Sequence, residues 1–130
     1  MIDFDEELDY QSIRFSYQDG YNATNALLAR GREFTALFAS ADVIAIGAIR
    51  ALREHGLRVP EDVSVVGFDG LPLGRYLIPQ LSTVVQSVQD MARRSVEILL
   101  NNIENGSIAC RETVPFTICQ RESTRRLELL

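Results

Sequence analysis

A helix followed by a buried strand is encoded in residues 42–69, which read DVIAIGAIRALREHGLRVPEDVSVVGFD. In the first half, apolar residues recur at helical spacing on two faces, with Asp42 suited to the N-cap and Gly56 to the end of the helix. In the second half, residues 63–68 are rich in β-branched side chains, which favour strands. The stretch therefore predicts one helix–strand unit of an α/β sheet.

The same alternation of helix and strand signals continues on both sides of this stretch. Upstream, a short strand at 11–15 precedes a helix with Ser16 as its N-cap, and downstream Ser87 begins another helix. Alternating strands and helices predict an α/β fold in which a mostly parallel sheet is flanked by helices in three layers. Further predicted strands are 34–39, 81–86 and, with Pro115 marking a sheet edge, 114–118.

The composition is that of one acidic globular domain. The 130 residues include 13 basic and 18 acidic side chains, a formal net charge of −5. Such a chain repels phosphate backbones, so we expect no direct DNA contact from it. No apolar run is long enough for a membrane span, the acidic start lacks the pattern of a signal peptide, and two cysteines are too few for a disulfide framework. We therefore expect a cytoplasmic domain without membrane contact.

Signatures of catalysis and metal binding are scarce. His55 is the single histidine, and it falls in the last turn of a predicted helix, where a cationic ring complements the helix dipole. One histidine and two distant cysteines make no metal site. The glycines around Gly67 match neither a dinucleotide fingerprint nor a phosphate-binding loop. The sequence therefore predicts that the protein is not an enzyme and holds neither a metal nor a cofactor.

Polar and aromatic residues follow three of the predicted strands at their carboxyl ends. Ligands of open α/β sheets bind just beyond this edge. An aromatic ring can stack on the C–H face of a sugar, while a carboxylate accepts hydrogen bonds from its hydroxyl groups. The sequence therefore predicts a site for a sugar or polyol, formed by Phe15-Ser16, Ser40-Ala41-Asp42 and Asp69-Gly70.

Beyond these patterns, residues 42–69 strongly resemble the lactose-repressor/galactose-repressor (LacI/GalR) family of bacterial transcription regulators. The segments 15–16, 34–38 and 79–86 extend the resemblance to nearly the whole chain. Family members have a helix-turn-helix, a hinge helix and a two-lobed effector domain similar to periplasmic sugar-binding proteins. The resemblance implies that residues 1–130 form a partial effector domain, namely a type I second lobe without its first strand and helix, and include no DNA-binding domain.

The resemblance also assigns ligand contacts residue by residue. Asp69 matches an aspartate that accepts hydrogen bonds from the effector, Phe15 an aromatic that stacks on it, and Gln86 a polar residue near the cleft between lobes. Structural roles remain open for each: Asp69 as a turn carboxylate, Phe15 as a core aromatic and Gln86 as a surface side chain. Asp42 and Ala41 also fall at this site, although Asp42 fits a helix N-cap better.

Two positions depart from the family pattern. Ala41 stands where members often carry an asparagine or another polar residue, and Gly70 stands where a second aspartate or asparagine is common. Both changes remove hydrogen-bonding capacity. They argue against the usual monosaccharide as effector, or for an effector that is less polar.

The function implied by the resemblance is effector sensing, in which a sugar or related metabolite binds between two lobes and thereby controls DNA binding by a homodimer. An alternative with the same fold is the sugar-binding component of a transport system, which would need a signal peptide. A flavodoxin-like enzyme or signalling domain is a weaker alternative, because the chain has no lysine. Because the first strand and helix of the lobe are missing, the isolated chain is expected to dimerise or swap elements. The resemblance also implies a homodimer through the effector domain, with an interface at Val43, Ile46, Gly47, Arg50 and Tyr76.

Overall fold

A computed structural model describes residues 6–11, 14–106 and 110–126. Three α-helices and four strands alternate along this part of the chain, with short 3-10 turns at Glu6–Leu8 and Pro72–Arg75. The helices and strands, in chain order, are α1 (Tyr17–Ala29), β1 (Ala36–Phe38), α2 (Asp42–Glu54), β2 (Ser64–Asp69), β3 (Ser82–Gln86), α3 (Val88–Asn105) and β4 (Phe116–Cys119).

The four strands form one sheet in the order β1-β2-β3-β4. The first three strands run parallel and β4 pairs antiparallel with β3, so the predicted mostly parallel α/β sheet is confirmed. Pro115 immediately precedes the edge strand β4, as predicted. Its apolar side chains are largely uncovered, because Phe116 and Ile118 are 62% and 69% exposed.

The core lies between α2 and one face of the sheet. Leu52 of α2, Val65 of β2 and Leu81 before β3 are all fully buried within one apolar cluster. Burying such side chains contributes roughly 1.5–3 kcal/mol each. This cluster packs α2 against β2 and against the residue that precedes β3.

Two glycines allow α1 to cross α2 at very short range. A Cβ atom on Gly20 would lie 2.2 Å from the carbonyl oxygen of Ile44, and one on Gly47 would lie 2.0 Å from that of Tyr17. Neither distance is possible for real atoms, so only glycine fits at these two positions. The inner face of α2 is therefore shared between the sheet and α1.

The helix ends agree only in part with the sequence predictions. The Ser16 hydroxyl accepts a hydrogen bond from the Asp19 backbone N–H at 3.1 Å, which confirms Ser16 as the N-cap of α1. The prediction that Asp42 caps α2 is wrong: Ala41 occupies the N-cap, and Asp42 is the first helical residue. Ser87 is the N-cap residue of α3, but its hydroxyl donates to the Asp90 carboxylate at 2.8 Å instead of binding the backbone.

Helix α3 has no buried residue and no extensive contact with another helix or strand of the described chain. Its apolar side chains Val88, Met91, Val96, Leu99, Leu100 and Ile103 are all exposed. The predicted three layers are therefore not completed within the described residues, because α3 does not pack on the sheet. No described helix combines the length and apolar character needed to cross a membrane.

The strand predicted at 11–15 is not found among the described residues of this segment. Gln11, Arg14 and Phe15 are not in a strand, while residues 12–13 lie outside the described part of the chain. A strand requires a hydrogen-bonded neighbour. The described residues of this segment instead line a cavity together with residues of β1 such as Ala36 and Phe38.

Candidate functional site

Asp69 and Gln86 are the last residues of the neighbouring parallel strands β2 and β3. The Gln86 side-chain amide donates a hydrogen bond to one carboxylate oxygen of Asp69 at 2.7 Å. Both side chains are half-buried. The structure thus brings together two of the residues predicted to contact a ligand. It places them at the carboxyl ends of the parallel strands, where ligands of open α/β sheets bind.

The Asp69 backbone has an unusual conformation. Its φ is 108°, and among the described non-glycine residues it alone has a positive φ. An L-residue with a side chain rarely adopts this region, which costs on the order of 1–3 kcal/mol, and such residues cluster at functional sites. The surrounding strand and loop hold the carboxylate in its position at this energetic cost.

Gly70, which departs from the family pattern, has structural reasons to be glycine. Its φ is 80°, and a Cβ atom would lie 2.8 Å from a methyl group of Val85. A second aspartate or asparagine at this position would require both a strained backbone and a shift of Val85. Residue 70 therefore lacks a hydrogen-bonding side chain because the loop packs closely on Val85 of β3.

Sequence reasoning missed an aromatic ring beside the pair. Phe116 of β4 lies directly opposite Gln86 in the antiparallel register and is 62% exposed. Side chains opposite each other in antiparallel strands lie about 5 Å apart, so the ring neighbours the polar pair. The alternation of β4 could indicate which face Phe116 occupies, but its partner depends on a register that local sequence does not encode.

Asp42 and Ala41, also predicted at the site, are buried. Ala41 is 2% exposed and Asp42 has no exposed surface. The Asp42 carboxylate accepts hydrogen bonds from the Thr83 hydroxyl and the Leu71 backbone N–H, both at 2.6 Å. A ligand at the sheet edge could not reach this carboxylate, so direct ligand contact by Asp42 finds no support in the geometry.

Phe15 lies elsewhere, in the wall of a cavity of about 620 Å³ along the free edge of β1. Its ring is 69% exposed, and Phe38 and Ser40 line the same cavity. Neither Asp69 nor Gln86 contributes to the lining. The structure therefore does not bring the predicted stacking aromatic to the predicted carboxylate within this chain.

The backbone of β1 beside this cavity is oriented so that a further strand could pair with it. The Ser64 N–H donates to the Thr35 carbonyl and the Ala39 N–H to the Val66 carbonyl, so these residues direct their backbone groups toward β2. Backbone groups alternate in direction along a strand. Those of Ala36 and Phe38 consequently face the free edge of β1 and the cavity.

The outer surface of α2 carries a second apolar groove. Ile46 and Arg50 of α2 line it together with Ile78 of the following loop, and Ile78 and Tyr76 are each 82% exposed. The Arg53 guanidinium donates to the Ile78 carbonyl oxygen and ties this loop to the helix. Gly47, predicted on this surface, faces α1 instead and is buried.

Charged side chains form a small network at the rim of this groove. Glu54 accepts hydrogen bonds from the Tyr21 hydroxyl at 2.5 Å and from Arg50 at 3.0 Å. These donors, the Tyr21 hydroxyl first, lower the pKa of Glu54 below its ordinary value, and the Glu54 carboxylate raises the pKa of Arg50. Arg50 also lies over the Tyr21 ring at 5.4 Å. The network orients both charges beside the exposed Ile78.

Metal-binding geometry is not found among the described residues. No group of three potential metal ligands occurs there. The ring of His55 lies 3.0 Å from the Ala51 carbonyl in the last turn of α2, consistent with the structural role predicted for it. What the arrangement offers is a carboxylate, an amide and an aromatic ring at one sheet edge, which suits reversible binding of hydroxyl groups.

Residues 4–124 match the family of periplasmic binding protein-like domains. The chain is 37% identical to the ribose operon repressor of Halalkalibacterium halodurans over 115 residues, which cover 88% of this chain and 35% of that protein. It is 46% identical to the transcriptional repressor PurR of Haemophilus influenzae over 89 residues, covering 68% of this chain and 26% of PurR. It thus spans about a third or less of the length of these relatives.

Solved structures agree with this match. A complex of the transcriptional regulator CelR with cellobiose is similar with a TM-score of 0.86 and 32% identity, over 94% of this chain and 37% of that one. These relatives are regulators and repressors of transcription, in agreement with the prediction that the chain is not an enzyme.

Proposed function

Because the chain belongs to the periplasmic binding protein-like domains, as part of a LacI-type effector domain, we propose that it senses a small effector for a transcription regulator. The effector is a sugar or related metabolite, bound between this lobe and another. Binding changes the affinity of a homodimer for DNA through a helix-turn-helix outside residues 1–130. Such a regulator acts in the cytoplasm.

One observation carries the proposal: the Asp69–Gln86 pair at the ends of two parallel strands. Gln86 donates to one oxygen of the Asp69 carboxylate, and the described residues supply no partner for the other oxygen. That oxygen can accept a hydrogen bond from a ligand hydroxyl or amine group. The Phe116 ring beside it offers an apolar face for stacking on a sugar.

Two surfaces support an effector domain that extends beyond this chain. Helix α3 exposes a row of apolar side chains that soluble domains normally cover. The backbone groups of Ala36 and Phe38 point away from β2 toward the cavity that these residues line, where another strand could pair with them. We place the rest of the effector domain at these two surfaces.

The homodimer is placed at the outer groove of α2. Ile46, Arg50 and Ile78 line this groove, with Tyr76 exposed nearby and Val43 one turn before Ile46. Gly47 is left out because it packs on α1. The transport protein with the same fold is the alternative that this proposal disfavours, because the similar proteins are regulators of transcription.

A thermal-shift screen tests the proposed binding. A ligand that binds only the folded chain raises its Tm, by an amount that corresponds to about 2.7 kcal/mol at a concentration of 100 Kd. We expect one member of a panel of sugars and nucleosides to raise the Tm of the wild type and of Glu104→Gln, an exposed change in α3, but not of Asp69→Asn. A panel without any stabilising member would contradict the proposal.

A further inference from the structure

The Asp42 carboxylate is a buried charge that the proposed binding site does not itself use. It has no exposed surface, yet it lies at the first position of α2, where a negative charge is favoured by the helix dipole. Gly67 of β2 provides its space, because a Cβ atom there would lie 2.2 Å from the carboxylate oxygen Oδ1. Three elements therefore close around one side chain.

Each oxygen of this carboxylate holds a different segment. Oδ1 accepts a hydrogen bond from the Thr83 hydroxyl of β3, and Oδ2 accepts one from the Leu71 backbone N–H, each at 2.6 Å. No buried side-chain polar atom of the described residues is without a hydrogen-bond partner. Hydrogen bonds to a charged acceptor are about twice as strong as those between neutral groups.

The two segments are the ones that carry the candidate site. Leu71 follows Asp69 by two residues, and Thr83 precedes Gln86 by three residues on the same strand. One carboxylate thus holds the loop after Asp69 and the strand before Gln86. The same residue begins α2, whose outer groove is the proposed dimer surface.

From this arrangement we infer that Asp42 is a positioning residue, which holds Asp69 and Gln86 at hydrogen-bonding distance and links their placement to α2. The inference rests on the proposed function for its meaning in effector sensing. A ligand that moves the Asp69 loop or the end of β3 would change the hydrogen bonds of Asp42. The start of α2 would respond, because Asp42 is part of that helix.

The chain offers a matched control at Ser123. Its hydroxyl is also fully buried and also joins β2 to β3, since it donates to the Val65 carbonyl at 2.6 Å and accepts from the Ser82 N–H at 2.8 Å. The hydrogen bonds of Ser123 go to Val65, Ser82 and Gln80, and none of them involves Asp42 or Leu71. Ser123→Ala therefore removes a comparable buried link without removing the positioning that we infer.

The test uses NMR on the whole chain without any ligand. Thr83→Val removes the hydroxyl at nearly constant volume, and Thr83→Ser keeps it. We expect Thr83→Val to speed exchange of the Leu71 amide by about tenfold or more. Without the Thr83 hydroxyl, the Asp42 oxygen Oδ1 is buried without a donor, and the carboxylate is no longer held in position to accept from the Leu71 N–H. It should also move the Gln86 side-chain NH₂ signals toward those of an unbonded amide. Thr83→Ser should keep both the Leu71 exchange rate and the Gln86 signals close to those of the wild type. Ser123→Ala should speed Leu71 exchange by no more than its loss of global stability accounts for.

Asp42→Asn provides a second variant in case Thr83→Val does not fold. It preserves volume but replaces a charged acceptor by a neutral one, so faster exchange of the Leu71 amide is again expected. Wild-type exchange at Leu71 with unchanged Gln86 signals in either folded variant would overturn the inference, as would an equal effect of Ser123→Ala. Since no ligand is present, failure here is separate from failure of the sugar screen.

Discussion

Gly47 shows how a single residue sets the arrangement of helices α1 and α2. It is buried where α2 meets the backbone of Tyr17, at a distance that excludes any Cβ atom. From sequence it shares one of the two apolar faces of the helix with Val43 and Ile46, which is why it is predicted at the dimer surface. Which face turns inward depends on the partner helix, and helical periodicity alone does not specify that.

Gly47→Ala is expected to destabilise the chain by about 1–3 kcal/mol, the usual cost of overpacking, even though alanine favours helices. The reason is the 2.0 Å approach of the added atom to the Tyr17 carbonyl. Thermal unfolding by circular dichroism measures the change. Ser95→Ala on the exposed helix α3 serves as control and should leave the Tm nearly unchanged. An unchanged Tm for Gly47→Ala would mean that the helices do not cross at this point.

Glu54 offers a test of the charged network by pH. Its pKa is lowered below the ordinary value of 4.5, first by the Tyr21 hydroxyl and then by Arg50. A group with a lowered pKa stabilises the folded state at neutral pH, and this contribution is lost as the pH falls through that pKa. Carboxyl titration by NMR should show a midpoint that rises in Tyr21→Phe but stays below 4.5, because Arg50 remains.

Tyr17→Phe, on the same helix as Tyr21, is the control for this titration and should leave the Glu54 midpoint unchanged. An equal midpoint in the wild type and Tyr21→Phe would show that the Tyr21 hydroxyl does not bind Glu54 in solution.

At the scale of elements, the sequence predicts much of what local physical chemistry determines. The Ser16 cap, the turn at Gly56 with positive φ, and the parallel strands β1 to β3 follow from local signals. Asp69 is also found, because it follows a predicted strand at its carboxyl end, whereas Gln86 is predicted only through the family resemblance. These features depend on neighbours within a few residues along the chain.

Features that depend on distant contacts could not be predicted in this way. Asp42 has the residue type of an N-cap, but its carboxylate is drawn to Leu71 and Thr83, which are 29 and 41 positions away. The neighbour of Phe116 likewise depends on the register between β3 and β4. The apolar pattern of α3 indicates a buried face, whereas the described chain provides nothing to cover it.

The outer groove of α2 makes a prediction about assembly. Ile78 is 82% exposed and lies outside the core, so Ile78→Glu should leave the fold intact while placing a charge in the proposed interface. Light scattering coupled to chromatography should show the mass of a dimer for the wild type and a lower mass for this variant. Ile46→Glu is less informative, because Ile46 also packs on the core.

Val96→Glu, on the exposed face of α3, is the matched control for Ile78→Glu. It should retain the wild-type mass. A monomeric wild type at micromolar concentration would rule out the dimer, and dissociation by Val96→Glu alone would place the contact on α3 instead.

At the scale of the whole molecule, two uncovered surfaces occur beside a candidate site that is already formed. The cavity along β1 and the bare face of α3 fit a lobe whose remaining parts lie outside the described residues. The Asp69–Gln86 pair is nevertheless in place, because it depends only on β2, β3 and the loop that Asp42 holds. The acidic net charge of −5 agrees with the proposal that DNA is bound outside residues 1–130.

The most direct test is to locate the binding site by NMR titration with the sugar that gives the largest thermal shift. Half of a two-lobed site supplies only part of the contacts, so we expect weak binding, with a Kd of about a millimolar, or about −4 kcal/mol. We predict saturable shifts of the Gln86 side-chain amide and the Gly70 and Leu71 backbone amides, which Asp69→Asn abolishes. Saturable shifts confined to the cavity around Phe15 and Phe38, or shifts that persist in Asp69→Asn, would contradict this assignment.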